Sequence, residues 1–380
     1  MHAKEPHGNL FHMNVLQVVP ELNAGGVEGT TLEMVQALTD NGHTAHVISA
    51  GGRMEADLIT LGGILHKTDI GSKNIFTVLK RTRLIRAIIR KYNIDIVHAR
   101  SRAPAWPAFF AAKSEGAIFL TTYHGIYNGT SGLKRYYNAI MTKGDHIIAN
   151  SEFTKAHIIK THKTVSDKIT VVARGVNMSK FDPAIISKKD ILAQRNRWSI
   201  DKDDKVILLP GRLTRWKGQL ISIEAMSHLP DNFKLVLLGD SQGRDDYVKE
   251  LKDKSALLHL SDRIIMPGHT RDVPAALMAA DIVISASTDP EAFGRVAAEA
   301  QAMGKAVVAT AHGGALETIV DGQTGILVPP GDAPAMAAAI IQIIKKGGFG
   351  AIEARNRIKT QFSTQSLQRK TLSVYNDLLK

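Results

Sequence analysis

The sequence predicts an α/β protein built from two doubly wound domains, each with a parallel sheet. Short apolar runs rich in β-branched residues alternate with stretches of helical spacing along nearly the whole chain. This alternation is typical of strand–helix units around a parallel sheet that is covered on both faces. A length of 380 residues suits two domains of ordinary size, and a hydrophobic content of 44% is enough for two buried cores.

The predicted strands fall into two groups. The first half of the chain contains the runs 14–19, 45–50, 64–68, 94–99, 118–123, 146–149 and 169–172. The second half contains the runs 206–209, 235–238, 264–266, 282–286, 307–309 and 326–328. Helical spacing separates neighbouring runs, for example over 30–39 and 75–91. Each group predicts one Rossmann-like sheet, whose ligands bind beyond the carboxyl ends of the strands.

A break in the pattern predicts the domain boundary. The stretch 177–183 followed by a charged helix has the character of a hinge. We therefore predict an N-terminal domain over 1–178 and a C-terminal domain over 179–362. A final helix over 363–380 is expected to pack back on the N-terminal domain. Facing each other, the two domains would enclose one deep interdomain cleft.

The positive charge is concentrated in the first half of the chain. The whole protein carries a net charge of +12, of which +9 lies in residues 1–180 and +3 in the remainder. This asymmetry indicates an anionic partner for the first half. No nucleic-acid motif or interleaved aromatic pattern accompanies the basic residues, so nucleic acid is not expected. An anionic membrane surface or an acidic acceptor fits better.

Several protein classes are excluded by what the sequence lacks. Zero cysteines exclude disulfides and thiolate chemistry and fit a reducing cytoplasm. No apolar run approaches the roughly 18 residues of a membrane span, and the polar start does not resemble a signal peptide. His2, His7 and His12 lack zinc-ligand spacing, so we expect no metal site there. We therefore expect a cytoplasmic protein.

Glycine-rich turns follow the first strand of each half. The turn at Gly25 and Gly26 precedes a helix, where small residues let a ligand approach the backbone and free amides attract negative charge. A tight turn without a ligand is the alternative. The segment 24–30 lacks the G-x-G-x-x-G dinucleotide pattern, and no G-x-x-x-x-G-K-[ST] phosphate loop occurs, so NAD and ATPase functions are not predicted.

The second half carries stronger signals. Arg212 and Lys217 flank the turn after the first C-terminal strand, and together they offer a forked donor and a point charge suited to a diphosphate. A solvated basic turn is the alternative. Glu291 lies in a later loop and Glu299 in the helix that follows. At ~1.5 Å per residue, eight residues separate them by at most about 12 Å, close to the span from a sugar hydroxyl across a diphosphate to a ribose.

Together these motifs resemble the retaining GT-B glycosyltransferases of family 4, over most of the chain. The motifs that carry the resemblance are Gly25-Gly26, Tyr123-His124-Gly125, Asn150-Ser151-Glu152, Arg174-Gly175-Val176, the turn 211–218, Leu238-Gly239-Asp240, Met266-Pro267-Gly268, the segment 291–299, His312-Gly313-Gly314 and the loop 325–331.

The resemblance implies a role for each site residue. Arg212 and Lys217 would bind the diphosphate of a nucleotide-sugar, and Glu299 would bind its ribose. Glu291 and the amides of Phe293 and Gly294 would hold the sugar hydroxyls. The glycine motifs would place Gly25, Gly26 and Gly239 beside the donor, with Gly26 near its phosphate or the acceptor. Glu291 and His124, near the reacting sugar, are the candidate catalytic residues.

The resemblance also implies a reaction. The enzyme would transfer a hexose with retention, the leaving diphosphate would help to deprotonate the acceptor hydroxyl, and no metal or other cofactor would be needed. Arg174 stands where many relatives carry asparagine, a feature similar to a subset that builds lipopolysaccharide cores. It favours an envelope glycan or glycolipid acceptor and, more weakly, a GDP-mannose donor over a UDP-sugar. The Asp201-Lys202-Asp203 string precedes a strand, so it is interpreted as a solvated loop.

Two other functions are compatible with this fold. A nucleotide-sugar 2-epimerase would convert a donor such as UDP-GlcNAc without an acceptor. A sugar-nucleotide sensor would bind the donor without turnover, although the full set of Arg212, Lys217, Glu291 and Glu299 argues against it.

One helix is a candidate membrane contact. The stretch from Ile75 to Lys91 places Ile75, Val78, Leu79, Ile85, Ile88 and Ile89 on one face by three- and four-residue spacing. Its cations, expected to point outward, are Lys80, Arg81, Arg83, Arg86, Arg90 and Lys91. Contact with the inner face of the cytoplasmic membrane is one interpretation, and a solvated basic helix is the other.

Overall fold

The computed structural model describes residues 12–23, 25–71, 75–127, 131–348 and 350–380. His2 and His7 lie outside the described residues. The chain forms two compact units. Unit 1 consists of the described residues of Met1–Val172 together with Leu367–Lys380, and unit 2 is Ala173–Ser366.

The divisions between the units differ from the predicted boundaries at 178 and 362. Hydrogen bonds explain the difference. The amide of Val176 donates to the Phe362 carbonyl at 2.7 Å, and the amide of Thr364 donates to the Val176 carbonyl at 3.0 Å. These bonds tie the segment after Val172 to the start of the last helix, so both segments belong to unit 2.

Unit 1 contains a seven-stranded sheet of parallel strands in the order β3-β2-β1-β4-β5-β6-β7. The strands are β1 (Asn14–Val18), β2 (Thr44–Ser49), β3 (Ile64–Lys67), β4 (Ile96–Ala99), β5 (Ile118–Tyr123), β6 (His146–Ala149) and β7 (Ile169–Val171). The helices are α1 (Gly26–Asp40), α2 (Glu55–Thr60), α3 (Val78–Tyr92), α4 (Arg102–Glu115), α5 (Gly132–Asn138) and α6 (Glu152–His162).

Unit 2 contains a six-stranded parallel sheet in the order β10-β9-β8-β11-β12-β13. The strands are β8 (Lys205–Pro210), β9 (Phe233–Leu238), β10 (Ile264–Gly268), β11 (Ile282–Ser285), β12 (Ala306–Thr310) and β13 (Ile326–Val328). The helices are α7 (Lys188–Arg197), α8 (Gln219–Met226), α9 (Asp245–Leu257), α10 (Val273–Ala279), α11 (Arg295–Ala302), α12 (Ala315–Thr318), α13 (Ala333–Lys345) and α14 (Ala351–Gln361). The last helix, α15 (Thr364–Leu378), joins unit 1 from Leu367 onward.

The central strands of both sheets are buried on both faces, which confirms the doubly wound fold class. In β1, Leu16 belongs to the core on one face of the sheet and Val15 to the core on the other. In β8, Leu208 and Leu209 are divided between two cores in the same way. Continuous apolar strands of this kind are stable only with helices on each side. Each of the thirteen predicted strands corresponds to an observed one.

The predicted faces of α3 are partly wrong. Ile85, Ile88 and Ile89 are buried, but Leu79 is 71% exposed. Conversely, Arg81 is buried and lies 3.5 Å from Asp69. The first turn of the helix therefore does not continue the buried stripe. The side chain of Ile75 lies outside the described residues.

Two further cations of α3 do not point freely outward. Arg86 and Arg90 both bind the carboxylate of Glu115, at 2.6 and 2.5 Å. This leaves Lys80, Arg83 and Lys91 as the exposed cations of the helix without an ion pair among the described residues. None of the described helices is long and apolar enough to cross a bilayer.

A histidine pair in unit 1, of which His46 is buried and His66 is half-buried, makes its stability sensitive to acid. His46 Nδ1 and His66 Nε2 lie 3.0 Å apart on β2 and β3, and both rings pack against Tyr92. Burial, and secondarily the charge of His66, lowers the pKa of His46 to about 4. Burial and Lys91 also lower the pKa of His66.

We expect the free energy of unfolding to fall on acidification. An unfolded histidine binds its proton near pH 6.5. Between about pH 6.5 and about pH 4 the unfolded state therefore holds more protons than the folded state. For each extra proton, the free energy of unfolding falls by up to about 1.4 kcal/mol per pH unit of acidification. When the free energy of unfolding is measured with urea across this range, it should fall less steeply with acidification for His46→Gln than for the wild type. His228→Gln, an exposed position in unit 2, should keep the wild-type slope. Equal slopes for all three proteins would contradict the assignment.

Candidate active site

Apart from Glu299, which lies in α11, the predicted donor residues in unit 2 lie on loops at the carboxyl edge of the sheet. The turn 211–218 follows β8, Gly239 follows β9, and the loop containing Glu291 follows β11. Because parallel strands end at one edge, these loops are neighbours. The Thr288 amide donates to the Trp216 carbonyl at 2.8 Å and joins the first and third loops directly.

Two glycines allow this close approach. A Cβ atom on Gly239 would lie 1.9 Å from the Gly211 carbonyl oxygen, and one on Gly218 would lie 1.8 Å from the Ala286 carbonyl oxygen. Gly218 also has a φ of +74°, which favours glycine, and it caps α8. Side chains at either position would push the loops apart.

Lys217 and Glu291 form an ion pair, although 73 residues separate them in the sequence. The Nζ atom of Lys217 lies 2.7 Å from Oε1 of Glu291, and the two side chains are only 13% and 16% exposed. Ser287 Oγ donates to the same carboxylate oxygen at 2.5 Å, and Nζ lies 4.5 Å from the centroid of the Trp216 ring. A cation suited to phosphate is thus held directly beside a carboxylate suited to hydroxyl groups.

The backbone around Arg212 is held by buried side chains. Gln219 Nε2 donates to the Arg212 carbonyl at 3.0 Å, and the Tyr247 hydroxyl donates to Gln219 Oε1 at 3.1 Å. The Arg212 side chain is exposed and forms no side-chain hydrogen bond among the described residues. Its neighbour Arg215 binds Glu250 at 2.6 Å instead.

The N-terminus of α11 lies beside this pair. Phe293 is buried and packs on Phe362, and Gly294 has a φ of +80° at the position where the helix begins. The Gly314 amide donates to the Glu291 carbonyl at 2.8 Å and fixes the loop before the helix. The first amides of a helix lack acceptors within the helix, so those of α11 are suited to bind an oxygen-rich ligand.

Glu299 lies one turn further along α11. Its Oε1 accepts a hydrogen bond of 2.6 Å from Arg295 Nη2, and the Glu299 side chain is 13% exposed. Each of the two predicted donor carboxylates is thus oriented by one cation. Arg295 and Ser287 were not singled out in the sequence. The four-residue spacing from Arg295 to Glu299 could have indicated the first, whereas nothing in the sequence pointed to the second.

The remaining predicted residues belong to unit 1. Gly25 is the N-cap of α1, with a φ of +152°, and Gly26 is the first residue of that helix. His124 directly follows β5, and its carbonyl accepts a hydrogen bond of 3.1 Å from Asn150 Nδ2. Thr154 Oγ1 in turn donates to Asn150 Oδ1 at 2.7 Å. The Asn150-Ser151 motif thus fixes the loop that carries His124.

Two further histidines at strand ends, His98 and His312, form hydrogen bonds within their own units. His98 is fully buried and bonds Tyr375 and Thr122, and His312 Nε2 lies 2.8 Å from the Ser287 carbonyl oxygen. Asp201 precedes β8, at the opposite edge of the sheet from Glu291. Within the described ranges, no group of three or more histidine, aspartate or glutamate side chains could hold a metal ion.

Comparisons with known proteins agree with this arrangement. Residues 24–180 match the family described as Glycosyltransferase Family 4, and residues 190–362 match Glycosyl transferases group 1. A glycosyltransferase from Rickettsia africae ESF-5 is 40% identical, with a TM-score of 0.90, over 98% of this chain and 100% of that one. The Anabaena protein Alr3699/HepE, crystallised with UDP-glucose, has a TM-score of 0.82 at 24% identity, over 96% of this chain and 100% of that one.

A relative of assigned activity is more distant. The D-inositol 3-phosphate glycosyltransferase of Xylanimonas cellulosilytica is 32% identical over 212 residues, which is 55% of this chain and 51% of that protein. The chain therefore spans about half the length of this relative. With both family matches and the Rickettsia structure aligned along nearly its full length, the chain belongs to the glycosyltransferases of the GT-B type, with family 4 and group 1 domains.

Proposed function

We propose that this glycosyltransferase takes its sugar from a nucleoside-diphosphate donor bound on unit 2. The observation that carries the proposal is the 2.7 Å pair of Lys217 and Glu291 beside the first turn of α11. In a nucleotide-sugar the diphosphate adjoins the sugar, and here a phosphate-binding cation adjoins a hydroxyl-binding carboxylate. Arg212 completes the diphosphate site, the amides of Phe293 and Gly294 bind sugar hydroxyls, and Glu299 binds the ribose.

The proposed chemistry is transfer with retention at the anomeric carbon. The bond from this carbon to the diphosphate oxygen breaks, and a bond to the acceptor oxygen forms on the same face. The acceptor hydroxyl gives its proton to the departing diphosphate. Lys217 and Arg212 stabilise the negative charge that develops on this diphosphate, and His124 orients the reacting sugar.

The proposed acceptor is an anionic envelope glycan or glycolipid. Residues 1–180 carry a net charge of +9, and the D-inositol 3-phosphate glycosyltransferase is named for an anionic acceptor. A UDP-sugar donor has the support of Alr3699/HepE, which was crystallised with UDP-glucose. Arg174 favours GDP-mannose as the alternative donor.

A donor test separates these possibilities. We expect the protein to release nucleoside diphosphate from UDP-glucose, UDP-GlcNAc or GDP-mannose, and to do so equally in EDTA, because cationic side chains neutralise the leaving diphosphate. Product analysis by chromatography would also reveal an epimerised donor. Activity that EDTA abolishes and that only Mg²⁺ or Mn²⁺ restores would contradict metal independence. Cleavage of none of the three donors would contradict the proposed function.

We further propose that unit 1 contacts the inner face of the cytoplasmic membrane through the start of α3 and the 3₁₀ turn Ile75–Thr77 that precedes it. Phe76 and Leu79 are 88% and 71% exposed, and the exposed cations Lys80 and Arg83 stand beside them. Apolar side chains next to unpaired cations suit an anionic bilayer surface. Arg81, Arg86 and Arg90 do not enter this surface, because acidic side chains already bind them.

Co-sedimentation with liposomes tests this contact. The double variant Lys80→Glu and Arg83→Glu should bind anionic vesicles at least about tenfold more weakly, since each cation near the surface contributes about 1 kcal/mol. Lys252→Glu on α9 of unit 2 is the matched control and should bind like the wild type. Binding that is equal for neutral and anionic vesicles, or indifferent to salt, would rule out an electrostatic membrane contact.

A further inference from the structure

A buried group of polar side chains lies between α15 and the sheet of unit 1, and the proposed mechanism does not use it. Its members are at most 5% exposed and come from β1, β4, β5 and α15 or from the residues just after them. They are Gln17, His98, Arg100, Thr122 and Tyr375. Tyr375 is the member that α15 contributes, and it lies 277 positions after His98 in the sequence.

The charge of Arg100 favours one set of directions for the hydrogen bonds of this group. This charge acts on the Tyr375 oxygen, so the phenol proton turns away from the guanidinium, which has no acceptor of its own. The phenol proton must then go to His98 Nδ1, at 2.7 Å. His98 therefore carries its own proton on Nε2 and donates it to Thr122 Oγ1, at 2.6 Å. Burial, with the nearby charge of Arg100, lowers the pKa of His98 well below its usual value and keeps the ring neutral.

One branch from Tyr375 leads to the strand that presents His124. Thr122, where the branch through His98 ends, lies on β5 two residues before His124. Only Tyr123, the last residue of the strand, separates Thr122 from His124. The hydrogen bond to Thr122 thus restrains the end of β5 from which His124 emerges.

The other branch leads to the helix that begins at Gly26. Arg100 Nε donates to Gln17 Oε1 at 2.7 Å, and Gln17 Nε2 donates to the Thr31 carbonyl at 3.1 Å. Thr31 lies in the second turn of α1. Tyr375 therefore hydrogen-bonds His98, which leads to the end of β5, and interacts electrostatically with Arg100, which leads to α1.

Stability does not account for this group. Arg100 is 2% exposed, burial lowers its pKa, and its Nη2 atom has no hydrogen-bond partner among the described residues. A desolvated guanidinium is costly, and apolar side chains of similar volume often stabilise a core as well or better. We interpret the group instead as a set of hydrogen bonds that holds the end of β5 and the first turns of α1 in fixed positions.

We propose that Tyr375 is a positioning residue for His124, Gly25 and Gly26, the proposed substrate-binding residues of unit 1. Through His98 and Arg100 it holds the end of β5 and the start of α1 in the places that transfer requires. The inference rests on the proposed function, because it assumes that His124, Gly25 and Gly26 meet the substrates. Tyr375 itself touches neither substrate nor reacting atoms.

The test combines turnover, binding and spectroscopy on the full chain. Tyr375→Phe should lower the rate of UDP-glucose or GDP-mannose cleavage about tenfold to hundredfold, the usual effect of a displaced positioning group. Calorimetric affinity for UDP and GDP should stay within about twofold, because these ligands bind the separate unit 2 site. In ¹⁵N NMR spectra, the wild-type His98 should be the Nε2–H tautomer, and the variant should lose this preference.

Further variants keep the test independent of folding. Thr122→Val and Gln17→Met each cut one branch and should each lower turnover by part of the Tyr375→Phe effect. Thr371→Val removes another buried hydroxyl of α15, which within the described part of the chain bonds the Leu367 carbonyl alone, and it should behave like the wild type.

The outcomes separate the two hypotheses. Wild-type turnover in a folded Tyr375→Phe variant would overturn the inference alone, as would a parallel loss of nucleotide affinity or an equal effect of Thr371→Val. A wild-type protein that cleaves neither donor and binds neither nucleotide would overturn the proposed function, and the inference with it.

Discussion

Glu291→Gln is expected to tighten the binding of free nucleoside diphosphate while it lowers donor turnover. In the structure the Glu291 carboxylate forms an ion pair with Lys217 Nζ at 2.7 Å, and a diphosphate would have to compete with this carboxylate for the cation. The neutral amide keeps the shape but releases much of this attraction, so Lys217 is free for the diphosphate. Because a hydrogen bond to a charged group contributes about 1.5–3 kcal/mol, turnover should fall about tenfold to hundredfold once the sugar hydroxyls lose the carboxylate.

A misfolded variant would lose both nucleotide affinity and turnover. Tighter nucleotide binding together with slower turnover would therefore not be explained by misfolding. Calorimetry with UDP and GDP, together with rates of donor cleavage, gives both quantities. Glu250→Gln is the matched control, because it also removes a carboxylate that binds a cation of the same turn, Arg215. It should change neither quantity. Nucleotide affinity that drops in Glu291→Gln would show that this carboxylate supports the diphosphate site instead of competing for it.

Lys217→Ala should weaken nucleoside diphosphate binding by at least about tenfold, and by more than Arg212→Ala does. Both variants lose a donor to the diphosphate. Lys217→Ala also leaves the Glu291 carboxylate without its cation, and this carboxylate is only 16% exposed and faces the site. Its uncompensated charge would repel a diphosphate in surroundings where water screens weakly.

Arg215→Ala provides the comparison within the same turn. Arg215 precedes Lys217 by two residues, but its side chain binds Glu250 and lies 5.1 Å from the centroid of the Tyr247 ring. We expect nucleotide affinity to remain within about twofold of the wild type, since a surface ion pair contributes at most about 1 kcal/mol. A larger loss of nucleotide affinity in Arg215→Ala than in Lys217→Ala would show that Arg215, and not Lys217, is the main cation of the diphosphate site. Unchanged affinity in Lys217→Ala would show that Lys217 does not bind the donor.

The architecture could be predicted because it follows from local patterns. A strand such as β12 (Ala306–Thr310) is buried on both faces, so its sequence is apolar throughout and can be recognised without tertiary information. Glycines at sites of close backbone approach, such as Gly218 and Gly239, are also visible in the sequence. The order of loops along one sheet edge then follows from the parallel strands.

Contacts between distant segments could not be predicted in this way. The bond between Lys217 and Glu291 depends on the packing of two loops, and nothing in either segment reports on it. The spacing of α3 assigned Leu79 to the buried stripe, because periodicity defines a helix face but not where the underlying sheet ends. Arg81 shows the reverse: Asp69, twelve residues earlier, makes the burial of a charged side chain acceptable.

Unit 1 is assembled from two stretches of chain that are synthesised far apart in time. Leu367, Val374 and Tyr375 belong to the same core as Val15 and Leu38, yet they leave the ribosome after all of unit 2. N-terminal domains usually fold first during translation, but unit 1 cannot complete its fold until unit 2 has been synthesised. Unit 2 is continuous and can fold while one face of the first sheet still lacks its last helix. Until that helix is synthesised, this face exposes apolar surface that a chaperone could bind.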